Sequence, residues 1–200
     1  MNRPILIVIA GPNGSGKTST TRQLIRHEWA ETCEYINPDD IAQQLFGDWN
    51  NQDAVLKAAQ YAEQRRNTLL QEHKNLIFET VLSSQSKVDY IHRAKEEGYF
   101  IRLFFISTSS PAINASRVAK RVMEGGHDVP ITKIISRYMS SINNARILSH
   151  IVDRAYFYDN SVEDHEAKLL FRTTNGAVEK IYTDVIPEWA MVILQDIGKE

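Results

Sequence analysis

The stretch Gly11-Pro12-Asn13-Gly14-Ser15-Gly16-Lys17-Thr18 decides the fold of this chain, and it directly follows an apolar run at residues 5–10. A glycine, four variable residues and then Gly-Lys-Thr form the pattern of a loop whose backbone N–H groups wrap around phosphates. In this pattern the lysine neutralises the phosphates and the threonine hydroxyl is a ligand of Mg²⁺. The sequence therefore predicts a strand, a phosphate-binding loop and a helix that together hold a nucleoside triphosphate. The residues expected to contact it are Gly11, Pro12, Asn13, Gly14, Ser15, Gly16, Lys17, Thr18 and Ser19.

The composition indicates one α/β domain that covers residues 1–200. Of the 200 residues, 42% are hydrophobic, which is enough for a full core in a chain of this length. The formal net charge of −2 provides no general attraction for a nucleic-acid backbone. The single cysteine, Cys33, cannot form an internal disulfide, and the N-terminus lacks the pattern of a signal peptide. A cytoplasmic protein that does not enter a membrane is therefore expected.

Apolar runs alternate with amphipathic stretches along the chain. Strands are predicted at residues 5–10, 34–36, 76–80, 99–106 and 155–158, and helices at residues 19–29, 38–46, 53–73, 85–97, 111–124 and 131–150. The polar turn Arg65-Arg66-Asn67 of the third helix is expected to face solvent. Asn175-Gly176 predicts a hairpin turn, and Pro187 begins a final short helix.

This alternation is typical of the α/β class, in which parallel strands are covered by helices on both faces. Together with the phosphate loop it predicts a P-loop NTPase similar to nucleotide kinases. Its central, mainly parallel sheet is expected to have about five strands. A helical lid over about residues 112–140 and a C-terminal β-hairpin complete the prediction.

Acidic residues follow two of the predicted strands, at the rim where ligands bind in such sheets. Asp39 is the predicted general base, because a carboxylate after the second strand can accept the proton of an attacking hydroxyl. Its neighbour Asp40 either shares this role or caps the backbone N–H of Asn37 and favours the helix dipole. Glu79 is expected to bind Mg²⁺ through a water molecule, and the alternative for it is a salt bridge to a helix arginine.

Polar side chains also follow the third and fifth strands. Thr80, Ser83 and Ser84 can donate hydrogen bonds to a substrate, or they can serve as turn formers and helix caps. The segment Asp159-Asn160-Ser161 either lines an adenine pocket or begins a turn with side-chain caps. From the residues alone, both groups stay open between a functional and a structural role.

Three arginines are candidates to contact the transferred phosphoryl group. Arg117 and Arg121 are four residues apart, hence on one helix face, and lie just before Gly125-Gly126-His127, where glycines can hinge a mobile cover. Arg137 follows on the next helix. Cationic groups stabilise the equatorial oxygens during phosphoryl transfer, so the arginines are predicted to do this. The alternative is a solvated basic helix face.

Taken together, these residues resemble the zeta-toxin family of phosphate-loop kinases, in its compact bacterial branch, over nearly the whole chain. The segments that carry the resemblance are Gly11-Pro-Asn-Gly-Ser-Gly-Lys-Thr18, Asn37-Pro-Asp-Asp-Ile-Ala42, Phe78-Glu-Thr-Val-Leu-Ser83, Arg117-Val-Ala-Lys-Arg-Val122, Gly125-Gly-His-Asp-Val-Pro130, Ile135-Ser-Arg-Tyr138 and Tyr158-Asp-Asn-Ser161. The phosphate loop is shared by many proteins, whereas this ordered set is specific.

The resemblance implies an ATP-dependent kinase that uses Mg²⁺, acts as the toxin of a toxin–antitoxin system and has an antitoxin partner. The best-understood members of the family phosphorylate the 3′-hydroxyl of the sugar in UDP-N-acetylglucosamine. By position, Asp39 resembles the catalytic aspartate and Glu79 the acidic residue near the substrate. Arg117, Arg121 and Arg137 resemble the arginines that clamp phosphate.

Two segments depart from the family pattern, both on the acceptor side. Asn37 stands where an acidic residue precedes the catalytic aspartate, and Glu79-Thr80-Val81 stands for Glu-Gly-Thr.

Two other functions fit the same residues. An ATP-gated interaction protein would need the loop but no small-molecule acceptor, and a polynucleotide 5′-hydroxyl kinase would share the loop, the aspartate and the arginines.

Overall fold

Fourteen helices and strands are assigned in this computed structural model, which describes residues 3–24, 26–27, 30–47, 51–126 and 128–198. The strands are β1 (Ile5–Ala10), β2 (Glu34–Ile36), β3 (Leu76–Thr80), β4 (Phe100–Ser107), β5 (Arg154–Asp159), β6 (Lys168–Thr174) and β7 (Ala177–Ile181). The helices are α1 (Lys17–Leu24), α2 (Pro38–Phe46), α3 (Gln52–Gln71), α4 (Gln85–Glu96), α5 (Pro111–Met123), α6 (Ile131–Ser149) and α7 (Glu188–Ile197). The end predicted for the first helix, Trp29, lies outside the described residues.

All seven strands form one sheet in the order β2-β3-β1-β4-β5-β6-β7. The first five of these pair in parallel, which confirms the predicted parallel core. The hairpin β6–β7 is the predicted C-terminal β-hairpin, and it extends the sheet to seven strands by pairing antiparallel with β5. The turn residues Asn175 and Gly176 both have positive φ, as a two-residue hairpin turn requires. That turn signal identifies a hairpin but not the strand with which it pairs.

The central strands are apolar on both sides because each face of the sheet is covered. Side chains of alternating residues enter two separate cores, as expected for strands buried on both faces. The larger core lies under α3, α4, α6 and α7 and contains the stacked rings of Phe157 and Phe171, whose centroids are 4.5 Å apart. Each such ring contributes about 1.5–3 kcal/mol by leaving water. This packing fixes the direction in which all five parallel strands end.

Local signals place the start of α2 next to the end of β2. The Asn37 side chain accepts a hydrogen bond from the Asp39 N–H at 3.0 Å, and Pro38 occupies the first helical position. Gly47 ends the helix with a left-handed backbone, φ +80°. These features confirm the predicted bounds of this helix, and they fix Asp39 and Asp40 in its first turn at the sheet rim.

Helix α3 provides the clearest error of the sequence interpretation. Arg65 is partly exposed and makes a bidentate ion pair with Glu34, at 2.6 Å for both hydrogen bonds. Arg66, predicted to face solvent, is only 3% exposed and lies against the rings of Phe78 and Tyr90. The prediction was wrong because these rings come from β3 and α4, which local spacing in α3 cannot reveal.

No helix in the described part of the chain is long and apolar enough to cross a membrane.

Candidate active site

The phosphate loop lies between β1 and α1, and two asparagines hold it from outside. The Asn114 amide donates to the Asn13 carbonyl at 2.6 Å, and the Asn160 amide donates to the Ser15 carbonyl at 2.9 Å. A Cβ on Gly14 would lie 2.5 Å from the Asn114 carbonyl oxygen, and one on Gly16 would lie 2.2 Å from the Asn160 amide nitrogen. Both glycines also have positive φ, so the loop needs glycine for its conformation and for the close approach of its supports.

Lys17 folds back over the loop that precedes it. Its ammonium donates to the carbonyls of Gly11 and Pro12 at 2.8 and 3.0 Å. Burial lowers the pKa of Lys17 from 10.5 to about 8, the negative charges of Glu79 and Asp39 raise it in part, and Arg121 lowers it further. Lys17 therefore lies within electrostatic range of two predicted acids, Glu79 and Asp39, and of one predicted arginine, Arg121.

Glu79, at the end of β3, is 8% exposed and is held by two hydroxyl groups. The Tyr35 hydroxyl donates to Oε1 at 2.6 Å, and the Thr18 hydroxyl donates to Oε2 at 3.4 Å. The Asn37 amide in turn donates to the Tyr35 oxygen at 3.1 Å. Burial and the charge of Glu79 raise the pKa of Tyr35, so its hydroxyl remains a proton donor. The salt bridge to a helix arginine, considered above for Glu79, is absent among the described residues.

Tyr35 is a residue that sequence reasoning missed. It lies in a three-residue strand, where an aromatic side chain indicates packing and nothing in the local pattern suggests a polar partner. The alternation of strand β2 shows only that Tyr35 and Ile36 face opposite sides of the sheet. Only the register of β2 against β3 brings its hydroxyl to Glu79.

The two acids of α2 are exposed at the same rim. Asp39 is one of the charges that raise the Lys17 pKa. The pKa of Asp40 is raised by partial burial and by the charges of Glu79 and Asp39, and a hydrogen bond from the Asn37 side chain lowers it in part. Asp40 thus interacts with the side chain of Asn37. The three acids thus lie at one rim and influence one another electrostatically, with Asp39 exposed and able to accept a proton and Glu79 fixed by its two donors.

The pair of Thr18 and Glu79 fits a magnesium ion bound together with phosphates. Mg²⁺ prefers hard oxygen ligands and usually binds through one or two carboxylates plus substrate phosphates. A hydroxyl and a carboxylate 3.4 Å apart beside the phosphate loop provide such oxygens. Within the described ranges, no three His, Cys, Asp or Glu side chains cluster to form a cage made by protein alone.

The three predicted arginines occupy different places. Arg117 donates to the carbonyls of Asn160 at 2.7 Å and Val162 at 3.4 Å, and it lines a cavity of about 430 Å³ beside the phosphate loop. Arg121 is near enough to Lys17 to lower its pKa. Arg137 is half-buried on α6. The structure therefore places Arg121 within electrostatic range of Lys17 and Arg117 in the cavity wall. His127, the other predicted lid residue, lies outside the described residues.

The loop after β5 forms the capped turn that its sequence allowed, and it also lines a cavity beside the phosphate loop. Asp159 accepts hydrogen bonds from the N–H and hydroxyl of Ser161, which is a turn with side-chain caps. The indole of Trp189 also donates to Asp159, at 3.2 Å. Asn160 supports the phosphate loop and lines the 430 Å³ cavity together with Gly16, Ser19, Thr20, Arg117 and residues 162–167. This cavity is continuous with the loop and is large enough for part of a nucleotide.

Helix α6 holds the loop that follows β3. The Ser141 hydroxyl donates to the Val81 carbonyl at 2.6 Å, and the Asn144 amide donates to the Leu82 carbonyl at 2.8 Å. Leu82 is fully buried with φ +60°, an unfavourable conformation for a leucine that the surroundings must impose. Hydrogen bonds from α6 therefore hold the loop at residues 80–84, which carries the predicted acceptor-side residues. The spacing of residues in the sequence cannot show this contact.

The hydroxyls of this loop differ in what they contact. Thr80 Oγ1 accepts the Leu82 N–H at 3.0 Å, so it stabilises the turn. Ser84 precedes α4 and its hydroxyl lies 3.0 Å from that of Ser86, without a cap bond to the helix backbone. Ser83 is half-buried between them. Thr80 therefore has a turn-forming role, and the substrate contact predicted for Ser83 stays a prediction.

The phosphate loop, the parallel sheet and the acids at its rim define an α/β protein of the P-loop class. A family model described as Zeta toxin matches residues 1–169, so the chain belongs to the zeta-toxin family. It is 29% identical over 132 residues to an uncharacterized protein of Haemophilus influenzae, and the match covers 66% of this chain and 91% of that protein.

Solved structures of two systems share the fold. A crystal structure of AvrRxo1-ORF1:AvrRxo1-ORF2 with sulphate ions superimposes with a TM-score of 0.69 and 16% identity, covering 98% of this chain and 64% of the other. The same complex with ATP has a TM-score of 0.66. The PezAT chromosomal toxin–antitoxin system of Streptococcus pneumoniae matches with a TM-score of 0.63 and 18% identity, covering 100% of this chain and 86% of the other. This chain thus spans less than two thirds of the matched AvrRxo1 chain.

Proposed function

We propose that this protein is an ATP-dependent phosphotransferase that transfers the γ-phosphate to a hydroxyl of a small metabolite. The observation that carries the proposal is the cluster of Lys17, Thr18, Asp39 and Glu79 at one rim of the sheet. A phosphate-binding cation, a metal-binding pair and an exposed carboxylate are the three groups that phosphoryl transfer to a hydroxyl requires.

The donor half of the proposed site is the phosphate loop and the adjoining cavity. ATP would place its phosphates on the loop and its base in the cavity lined by Arg117 and Asn160. The ATP-bound structure of the AvrRxo1 complex, which shares the fold, supports the choice of ATP. Thr18 and Glu79 would hold Mg²⁺, Glu79 through a water molecule, and the ion would screen the charge of the phosphates.

The chemical step follows from the cluster. As the acceptor oxygen bonds to the γ-phosphorus and the bond to the β–γ bridging oxygen breaks, Asp39 takes the hydroxyl proton and ADP leaves. Lys17, together with Arg121 whose charge acts on it, would stabilise the charge of the phosphoryl oxygens once ATP is bound. We propose that residues 1–200 form one kinase domain in which the segment 112–140 is the lid, and that Arg117 and Arg137 on its two helices contact the transferred phosphoryl group when the lid closes.

The acceptor side is proposed from family membership. UDP-N-acetylglucosamine, with its 3′-hydroxyl, is the first acceptor to test, with Thr80 and Ser83 as candidate contacts. The resemblance to the PezAT toxin–antitoxin system supports an antitoxin as a protein partner and a toxic role. A place in the cytoplasm, where ATP is available and a lone thiol such as Cys33 stays reduced, fits this proposal.

The test is phosphate transfer from ATP to a panel of nucleotide sugars, sugars and nucleosides. Asp39→Asn should lower the rate by about 10²–10⁴-fold while ATP binding stays within threefold, because only the proton acceptor is lost. Asp53→Asn is the matched control, since Asp53 is also exposed in the first turn of a helix but pairs with Lys57. Transfer to no acceptor, or full activity of Asp39→Asn, would refute the proposal.

A further inference from the structure

We propose that one side of the sheet at strands β4–β7 binds single-stranded nucleic acid, with the phosphates on a group of cations and the bases on tyrosine rings. The inference goes beyond the phosphotransferase proposal and does not depend on it. The surface lies on the flat of the sheet, whereas the phosphate loop and the acids lie at its rim. It begins from the side of the outer strands that the described helices leave uncovered.

Strands β5 and β6 differ in burial between their two sides. Phe157 and Phe171 point into the larger core under α3, α4, α6 and α7 and are fully buried. Their strand neighbours Tyr156 and Arg172 point to the other side, as does Arg154, and all three are only partly buried. The smaller core on that side contains no residue of any helix in the described part of the chain. This side of the outer strands is therefore accessible to a ligand.

The strand pairing places aromatic rings and cations in one row across this side. Phe104 of β4 is the register partner of Tyr156 of β5, and their rings are stacked with centroids 4.7 Å apart. Arg172 of β6 is the partner of Tyr156, and Lys180 of β7 is the partner of Arg172. Adjacent strands lie about 4.8 Å apart, so this row runs from rings to cations over about 14 Å.

The same side carries an excess of positive charge. Arg102 and Arg154, which are partners in the neighbouring row, join Arg172 and Lys180. Glu179 is the one acid that strands β4–β7, described over their whole length, add to this side, and it accepts a hydrogen bond from Arg172 at 2.6 Å. The whole chain, in contrast, has 25 acids and 23 lysines and arginines. The local field at this surface is thus opposite in sign to the net charge.

Aromatic rings lie against the cations at both ends of the surface. The Cζ atoms of Arg102 and Arg154 are 5.3 and 6.0 Å from the ring centroid of Phe100. The Lys180 ammonium is 4.9 Å from the ring centroid of Tyr182, which is 38% exposed. Cations interleaved with rings are the combination by which proteins hold unpaired bases together with their phosphates.

This composition fits a single strand better than a duplex or an acidic peptide. Phosphates of an extended strand would accept hydrogen bonds from Arg154, Arg172 and Lys180. Its unpaired bases would stack on Tyr156 and Tyr182, whereas a duplex hides the faces of its bases and an acidic peptide has none. Because cations and rings alternate over several strands, the surface has the chemistry for both parts of a nucleotide.

Fluorescence anisotropy with a labelled oligouridylate of about twelve nucleotides tests the surface, because single-strand sites cover about 4–16 nucleotides. Wild type should bind it, and the matching DNA strand shows which sugar is preferred. Arg154→Gln and Arg172→Gln should each weaken binding at least fivefold. Each should also reduce the slope of log K against log salt concentration by about 0.7, the contribution of one phosphate of a single strand.

Two further variants distinguish rings from charges. Tyr182→Leu should weaken binding at least fivefold and leave the salt slope unchanged, because it removes a stacking ring and no charge. Glu179→Gln should tighten binding at least threefold, because it removes the acid that is paired with Arg172. A gain in affinity cannot arise from misfolding, so Glu179→Gln keeps the test decisive if another variant fails to fold.

Helix α3 provides matched controls on the other side of the sheet. Arg65 is ion-paired with Glu34 as Arg172 is with Glu179, and Tyr61 is 46% exposed. The helix that carries both packs into the larger core. Arg65→Gln and Tyr61→Leu should each change oligonucleotide binding less than twofold.

Three results would overturn the inference. The first is no binding of either single strand, and the second is binding that none of the four surface variants changes. The third is equal affinity for a duplex or for polyglutamate of the same charge, which would mean a general attraction for anions. Each of these results leaves the kinase proposal standing.

Occupation of the phosphate loop separates this surface from the proposed active site. The row crosses β4 at Phe104, three residues or about 10 Å before the rim at Ser107. Saturation with Mg²⁺ and a non-hydrolysable ATP analogue should therefore change oligonucleotide affinity less than twofold, and loss of binding would place the strand at the loop and contradict the inference. Phosphoryl transfer by Arg172→Gln should stay within twofold of wild type. Oligonucleotide binding without transfer to any acceptor would support this surface and refute the kinase proposal.

Discussion

Glu79 depends on a hydroxyl group from another strand for its position. The Tyr35 hydroxyl donates to it at 2.6 Å, in a site where Glu79 is 8% exposed. A buried carboxylate that loses a donor pays for desolvation without compensation and moves within its site. Tyr35 is thus a positioning residue for the proposed metal-binding acid.

We expect Tyr35→Phe to lower kcat about tenfold, because the carboxylate is no longer fixed beside Thr18, and to destabilise the protein by about 1–3 kcal/mol. Steady-state kinetics and urea unfolding measure the two effects. Tyr61→Phe is the control, since Tyr61 is exposed on α3. Unchanged kinetics in Tyr35→Phe would show that Glu79 needs no support from β2.

Lys17 makes ATP binding depend on pH. Its pKa is about 8 in the ATP-free protein, whereas bound phosphates favour the charged form. Above pH 8, ATP binding should therefore take up a proton, and the apparent affinity should fall as pH rises. Calorimetry at pH 8.5 in buffers of different ionisation enthalpy measures the uptake, and Lys17→Arg should abolish it because arginine stays charged. Equal proton uptake in both proteins would contradict this assignment.

The lowered pKa of Lys17 also makes the free energy of unfolding depend on pH, in the direction opposite to ATP binding. Lys17 releases its proton near pH 8 in the native ATP-free protein and near 10.5 when it has its ordinary pKa, as in the unfolded chain. Unfolding therefore takes up a proton between these values, and the contribution of Lys17 to stability increases with pH in that window. ATP-free protein and ATP-bound protein should differ in this slope.

At the scale of elements, the phosphate loop packs closely against the turn after β5. A Cβ on Gly16 would lie 2.2 Å from the Asn160 amide nitrogen, and that amide also supports Ser15. Gly16 and the Asn160 side chain are therefore in direct contact. The effects of substituting them on the free energy of unfolding should not be additive.

Gly16→Ala should abolish measurable ATP binding and destabilise the protein by more than the roughly 1–2 kcal/mol that positive φ alone costs an alanine. Gly98→Ala measures that backbone cost alone, since Gly98 has φ +83° and open space around it. Adding Asn160→Ala to Gly16→Ala should cost less than Asn160→Ala alone, because it removes the clash. Urea unfolding of the four proteins of the cycle tests this, and additive costs would contradict it.

The sequence predicted elements whose signals are local. The apolar run of β1, the Asn37-Pro38 start of α2 and the Asn175-Gly176 turn each carry their cause within a few residues. Contacts between distant segments could not be predicted in this way. Asn114 supports Asn13 across 101 residues, and Arg66 is buried by Phe78 and Tyr90 from other elements. Spacing in one helix indicates which side chains share a face, but not what covers that face.

At the scale of the whole molecule, the proposal of one domain predicts one cooperative unfolding transition. ATP binds only the folded loop, so at a hundred times its Kd it should stabilise the protein by about 2.7 kcal/mol and raise Tm by about 5–10 °C. Lys17→Met should keep the single transition and lose most of the shift. Differential scanning calorimetry with and without Mg²⁺ and a non-hydrolysable ATP analogue measures both, and two separate transitions would contradict the one-domain proposal.

The two ends of the sheet bear on how the protein behaves at high concentration. One edge is β2, only three residues long, and the other is β7, whose Glu179 and Lys180 are exposed. A long, flat, apolar edge offers unpaired backbone groups to other chains and promotes aggregation, whereas a short edge and a charged edge do not. The hairpin that extends the parallel sheet therefore also shields the hydrophobic strand β5 from the edge, and it protects the folded protein against strand-to-strand polymerisation.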